Sequence, residues 1–275
     1  MTASPLTGSI LCPVDFSEVS VAALRLAVRL GERCQQPVTA LYVEWFEVPP
    51  YVTAGQSGEI EAQRRNSLSD AKASLDRFVG ETIGGTGVAL RVEEGDPLGS
   101  ILAVAKETGS GLIVMGTHGR TGLRRLTLGS VAEEVLHSSD LPLVTLRHDT
   151  SHAIGRILCA VNDSEAARKA LRYAAGLATC LDAQLSVLHV VERGSARRIP
   201  DLCAWIGTER PTACEIQEIT RHGDATTEIL QLAAEQAADL LVIGSEHRVF
   251  RDQAAIGSTT AALLRQAPCA TLTIH

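Results

Sequence analysis

The chain is written twice. Residues 10–27, ILCPVDFSEVSVAALRLA, lie on residues 157–174, ILCAVNDSEAARKALRYA, with ten of eighteen positions identical at an offset of 147. Further on, EGDPLGSILAVAKETGSGLIVMGTHGR (94–120) lies on HGDATTEILQLAAEQAADLLVIGSEHR (222–248) at an offset of 128. Each copy is long enough to bury its own core, so the fold must be a domain and its duplicate. The predicted units are residues 1–149 and 150–275, joined near RHDTSHAIG, the second nineteen residues shorter in its middle.

Inside each copy, β-rich runs alternate with helical patterns. SILCPV and VTALYVE read as strands, separated by Ser17 to Cys34, where Ala22, Ala23, Leu26, Ala27 and Leu30 recur at helical spacing. A second helix near Glu59 to Val79 leads to the strand VALRVEE. In GDPLGSILAVAKE, Asp96 suits an N-cap and Pro97 a first helical position. The strand GLIVM, a glycine loop, a helix from Ser130 to His137 and the strand LPLVTLR complete the unit. Near-continuous apolar strands alternating with helices predict an α/β fold with a parallel sheet covered on both faces. Such sheets bind ligands beyond the carboxyl ends of their strands, where strand order reverses. Asp15 and Gly116 fall at such ends.

Composition narrows the partners. With 45% hydrophobic and 21% charged residues the chain has the makeup of a globular protein, and its net charge of −7 disfavours broad binding to nucleic acid or acidic membranes. The seven cysteines form no CxxC pair, and several sit in apolar runs. They are expected to be small buried hydrophobes in a reducing cytoplasm. The first ten residues, MTASPLTGSI, carry neither a cationic start nor an apolar core, so a cytoplasmic location without membrane contact is expected.

The stretch VMGTHGRTGLRRLTLGSV (114–131) carries the chemistry. Gly116, Gly119, Gly129 and Ser130 form the pattern G-x2-G-x9-G-S. Glycine accepts positive φ and removes the Cβ, so peptide N–H groups can approach a ligand. Gly129 and Ser130 open a helix, whose unpaired N–H groups and dipole favour an anion. Arg120, Arg124 and Arg125 add guanidinium groups suited to phosphate oxygens. Strand end, glycine turn, basic loop and helix start together describe a phosphate cradle. Asp15 has a second, compatible use as a cap for the helix beginning near Ser17.

On ILCPVDFSE, LYV, EGDP, LIVMGTHGRTGLRRLTLGSVAEEVL and LPLV, the chain resembles the universal stress protein family in tandem form, over essentially its whole length. The G-x2-G-x9-G-S spacing resembles that of the family's ATP-binding branch. The resemblance implies two doubly wound, Rossmann-like domains, each a five-stranded parallel sheet of order 3-2-1-4-5, related by a pseudo-twofold axis. It implies that Asp15 and Val43, with Pro13 and Val14 beside them, contact adenine, and that Met115 and Gly116 line the ribose. Gly119, Gly129, Ser130 and the Val131 backbone would take the phosphates; Arg120 is added here on charge and position. ATP with Mg2+ is the implied cofactor, with no identified metal ligand. The implied role is a nucleotide-dependent stress or signalling module with an unknown protein partner, the alternative being a slow ATPase or autophosphorylating enzyme. The loop offers His118, Thr117, Thr121 and Ser130 but no dedicated carboxylate base, so no catalytic residue is assigned. Family members commonly pair; here the repeat supplies an intramolecular pseudo-dimer with the strands PLVTL and CATLTI side by side, and pairing of whole chains is left open.

The second copy departs from the pattern. His247 answers Gly119 and Asn162 answers Asp15, while the basic triplet shrinks to Arg248 and Arg251 beside Glu246 and Asp252. Nucleotide is therefore expected in the first copy only. His247 is either a phosphate-contacting acid–base group or a solvent-facing loop residue. The shorter middle has room for two or three helical turns, so part of one sheet face is either covered by the partner copy or left as a docking patch. Trp205 is either core or the anchor of such a patch.

Overall fold

The computed structural model describes residues 6–45, 57–84, 87–117, 129–147, 153–192, 194, 199–207, 214–245, 248–250, 253–255 and 257–275. The first copy runs β1 (Ser9–Pro13), α1 (Glu18–Cys34), β2 (Val38–Glu44), α2 (Ser57–Ile83), β3 (Val88–Glu94), α3 (Pro97–Glu107), β4 (Ser110–Gly116), α4 (Ser130–Ser138) and β5 (Leu143–Leu146). The second runs β6 (Arg156–Val161), α5 (Glu165–Leu181), β7 (Gln184–Val191), α6 (Leu202–Gly207), β8 (Ile216–His222), α7 (Ala225–Glu235) and β9 (Leu240–Gly244), then β10 (Arg248–Phe250), β11 (Gln253–Ala255), α8 (Ser258–Gln266) and β12 (Ala270–Ile274).

Ten strands form one sheet in the order β3-β2-β1-β4-β5-β12-β9-β6-β7-β8, so each copy has the order 3-2-1-4-5. Pairing within each copy is parallel. The two copies join through β5 and β12, which run antiparallel with Thr145 opposite Thr271, Val144 opposite Leu272 and Leu143 opposite Thr273. One face is covered by α1, α2, α5 and α6 over a core that continues across both copies. On the other face α3 and α4 cover the first copy and α7 and α8 the second.

Local chemistry explains why these segments become helices. Ser17 caps α1 by accepting the Ser20 N–H, and Ala22, Ala23, Leu26, Ala27 and Leu30 are buried on the face that meets the sheet. Asp96 caps α3 by accepting the Gly99 N–H, with Pro97 at the first turn, as expected. The equivalent helices of the second copy are capped by Ser164 and Asp224. A short antiparallel hairpin, β10 with β11, is an addition that the repeat does not predict. Its first strand is RVF, a run containing a β-branched and an aromatic residue, the types that favour extended backbone.

The shortened middle of the second copy is not an apolar docking patch among the described residues. α6 is a short helix, and Trp205 is core: it is buried, its Nε1–H donates to Asp163 Oδ1 at 3.2 Å, and the Arg168 guanidinium lies 4.7 Å from its ring centre. Glu218 and Thr220 of β8 share a face with Val187 and His189 through their pairing. A polar edge strand needs no long helix over it. The buried His189 accepts the Ile199 N–H at 3.0 Å on Nε2 and faces the Val161 carbonyl at 3.1 Å through Nδ1, tying the segment before α6 to the sheet.

The cysteine expectation is corrected at four positions: Cys203 is exposed and Cys214 only partly buried, and two others are paired. Cys34, the last residue of α1, and Cys180, in the last turn of α5, are joined in a disulfide with their Cα atoms 5.8 Å apart. The pseudo-twofold brings the two helix ends together, a proximity invisible over 146 residues of sequence. Arg33 Nη2 donates to the Leu181 carbonyl at the same crossing, at 3.1 Å. Cys12, Cys159 and Cys269 do behave as buried hydrophobes, and burial pushes the Cys159 and Cys269 thiols up to about 12. Among the described residues, no helix is long and apolar enough to cross a membrane.

Candidate functional site

At the carboxyl end of the first sheet, where β1 and β4 diverge, lies a cavity of about 320 Å3. That is within the size range of small-molecule sites. Pro13, Val14, Asp15, Val43, Met115, Gly116, Gly129, Ser130 and Val131 all line it. Gly119 and Arg120 lie outside the described residues, as do His118, Thr121, Arg124 and Arg125. The cavity is also lined by Ser20, Tyr42, Pro97, Ile101 and Thr117, which the sequence pattern does not assign to it. Tyr42 had a signal, being next to the assigned Val43, whereas Ser20 reaches the cavity from the first turn of α1.

Asp15 is held from three directions. Its Oδ1 accepts the Ser17 N–H at 3.1 Å, the Ser17 hydroxyl at 2.6 Å and the Ser20 hydroxyl at 2.5 Å. Its own N–H donates to Ser20 Oγ at 3.1 Å. The helix cap is Ser17, and Asp15 braces that cap while standing at the cavity wall. The next residue, Phe16, has φ of 65°, an unusual conformation for a side chain of this size. Its ring holds it there by stacking on Tyr42, centroids 4.4 Å apart, with Phe78 edge-on at 5.3 Å. The strained turn at Phe16 thus helps fix the carboxylate before it.

Helix capping divides the helices that line the two cavities into two kinds. Side chains cap α1, α3, α5 and α7. α4 has Gly129 as its N-cap and no side-chain cap, and the same is true of α8 with Gly257. The first-turn N–H groups of α4 therefore have no side-chain acceptor at the cap, and the positive end of the helix dipole meets the cavity. The neck of the intervening loop is closed by Thr117: its carbonyl accepts the Gly129 N–H at 2.6 Å, and its N–H and hydroxyl donate to the Leu146 carbonyl.

The reason for the glycines needs correcting. Gly129 has φ of −66° and ψ of 148°, a region open to every residue, and Gly116 does not have positive φ. Neither position calls on glycine's conformational freedom. Gly244, the counterpart of Gly116, shows why the strand-end glycine persists in the second copy: a Cβ there would lie 2.5 Å from the Ala166 carbonyl carbon and 2.7 Å from the Ala167 nitrogen. The glycine lets the first turn of α5 sit against β9. Gly244→Ala is accordingly expected to destabilise the chain by about 1–3 kcal/mol, measured by denaturant unfolding; unchanged stability would show that the contact relaxes freely.

The second copy holds a cavity of about 280 Å3 in the equivalent place. Asn162 and Ser258 line it where Asp15 and Ser130 line the first. Asp163 does not stand in for the lost carboxylate: its Oδ1 binds Trp205 and Arg168. Glu246, His247, Arg251 and Asp252 lie outside the described residues, and so does the side chain of Arg248.

Comparison with known proteins agrees with this architecture. A universal stress protein of Methanocaldococcus jannaschii is 33% identical over 140 residues, covering 50% of this chain and 81% of that relative. A universal stress protein of Bacillus subtilis is 30% identical over 151 residues, covering 50% of this chain and 97% of that relative. Each thus matches about one copy. The crystal structure of a universal stress protein from Archaeoglobus fulgidus superposes with a TM-score of 0.73 at 22% identity, covering 97% of both chains, which bears on the fold. The model of the universal stress protein family matches twice, at residues 7–147 and 153–275, and the chain belongs to that family as a tandem member.

Proposed function

We propose that the first cavity binds ATP and that the chain works as a nucleotide-dependent stress or signalling module. The observation that carries this reading is the glycine-capped start of α4, left without a side-chain acceptor and facing a cavity whose opposite wall presents a braced carboxylate. Adenine offers an exocyclic amine, a donor that suits Asp15, and a flat ring that suits Val14, Leu41, Val43 and Met115. A triphosphate suits the amides of Ser130 and Val131 and the Ser130 hydroxyl. Gly119 and Arg120 are proposed to complete the phosphate contacts. Among the described residues no cluster of carboxylates, histidines and cysteines is able to hold a metal ion. Mg2+ would accordingly enter on the phosphates, as it commonly does, with its charge neutralising theirs. Units 1–149 and 150–275 are proposed as the functional division.

Binding is favoured over turnover. Asp15 is the only carboxylate lining the first cavity among the described residues, and its Oδ1 is engaged by Ser17 and Ser20. A general base for water at the γ-phosphate has no candidate there. Calorimetric titration of the whole chain is expected to give one ATP per chain, and single-turnover phosphate release is expected below roughly 1 per minute. Two equivalent ATP sites, or faster release, would overturn the respective halves of the reading.

A further inference from the structure

The second cavity keeps the shape of the first and reverses its polarity at one end. Its apolar walls, Val161, Leu188, Val190, Ile229 and Ile243, take the places of Val14, Leu41, Val43, Ile101 and Met115. A slot for a flat ring is therefore retained. Where Asp15 presents a carboxylate, the second copy presents Asn162. The Asn162 Oδ1 accepts the Ser164 hydroxyl at 2.6 Å, and Ser164 in turn caps α5 through the Ala167 N–H. The oxygen already holds the Ser164 hydroxyl, and beside it the amide carries an NH2 group, a donor that Asp15 lacks. Ala167 replaces Ser20, so the hydroxyl that braces the first carboxylate is absent.

An acceptor stands on the neighbouring strand. Glu192, immediately after β7, lines the same cavity and accepts the Ala225 N–H at 3.1 Å on one oxygen, with lone pairs to spare. A carbonyl next to ring and exocyclic N–H groups complements an amide donor beside a carboxylate. Guanine has that edge; adenine has the reverse, an amine beside a bare ring nitrogen. At the far end of the cavity, Gly257 opens α8 without a side-chain cap and Ser258 and Thr259 add hydroxyls, groups suited to a phosphate.

We infer that the second cavity binds a guanine nucleotide, its carbonyl read by Asn162, its N–H edge by Glu192 and its phosphate by the start of α8. The two copies then sense two different purines. This inference goes beyond the ATP reading of the first cavity and rests on residues of the second.

Equilibrium dialysis of the full chain against GMP, guanosine and AMP tests it, with ATP titrated into the same preparations as a separate report on the first cavity. GMP is expected to bind at one per chain, more tightly than guanosine, and at least about tenfold more tightly than AMP in the presence of saturating ATP. Asn162→Asp, an isosteric change, is expected to weaken GMP about tenfold or more while leaving ATP unchanged; Glu192→Gln, which keeps an acceptor for Ala225, is expected to do the same. Asp15→Asn is expected to leave GMP untouched. Absence of GMP binding up to about 1 mM, equal affinity for AMP, or GMP affinity that survives both second-copy variants or falls with Asp15→Asn would overturn the inference. Equal affinity for guanosine would overturn the phosphate contact at α8. ATP binding that fails while GMP binding holds would count against the first cavity alone.

Discussion

Replacing Gly129 by aspartate is expected to abolish ATP binding while leaving the folded chain intact or slightly more stable. Gly129 sits at φ −66° and ψ 148°, so any residue fits its backbone. Aspartate is a better helix N-cap than glycine, by a few tenths of a kcal/mol, because its carboxylate accepts first-turn N–H groups. Those are the N–H groups assigned to the phosphates. The new carboxylate would occupy them and repel the triphosphate. Loss of even two charge-assisted hydrogen bonds, at about 1.5–3 kcal/mol each, corresponds to a weakening of about 100-fold or more. Paired measurement of ATP affinity by calorimetry and of thermal unfolding distinguishes this from a folding defect. Affinity within about threefold of wild type would remove the phosphates from α4, and with them the proposed cradle.

Features governed by local periodicity could be read from the residues. Alternation of apolar strands and capped helices gave the elements of the first copy, and the caps Ser17 and Asp96 are where such residues belong. The 147-residue and 128-residue offsets carried the same elements into the second copy. Asp15 and Gly116 followed as strand-end residues from the parallel sheet itself and Val43 from the family resemblance, and all three line one cavity. Features that depend on which surfaces meet could not be read. Nothing local marks Phe16 for positive φ; the contacts that hold its ring come from Tyr42 and Phe78, on two other elements. Trp205 had two readings, core or anchor, and its place in the core depends on Asp163 and Arg168 reaching it from the end of β6 and from α5. Gly244 aligns with Gly116, and it is the backbone of α5 that leaves no room for a Cβ there. The pairing of Cys34 with Cys180 belongs to the same class, since it exists only once the two copies have docked.

That disulfide is expected to make the largest single contribution to stability that one substitution can remove. The direct sheet pairing between copies is the short antiparallel register of β5 with β12. The cross-link lies elsewhere, at the ends of α1 and α5, so it holds the seam at a second place. It closes a loop separated by 146 residues. On the chain-entropy model a loop of that length restrains the unfolded state by about 5 kcal/mol, and observed contributions run about 2–4 kcal/mol. Cys34→Ser is therefore expected to lower the unfolding free energy by about 2–5 kcal/mol, with Cys180→Ser equivalent and the double variant no worse than either alone. Wild type unfolded in reductant should behave like the single variants. Thiol titration supplies the chemical check: denatured but unreduced protein should show five reactive thiols, and reduced protein all seven. Seven thiols before reduction would mean the bond does not form. Five thiols with unaltered stability in both variants would mean that the β5–β12 seam and the α1–α5 packing hold the copies together unaided, and that the cross-link restrains nothing the unfolded chain would otherwise explore.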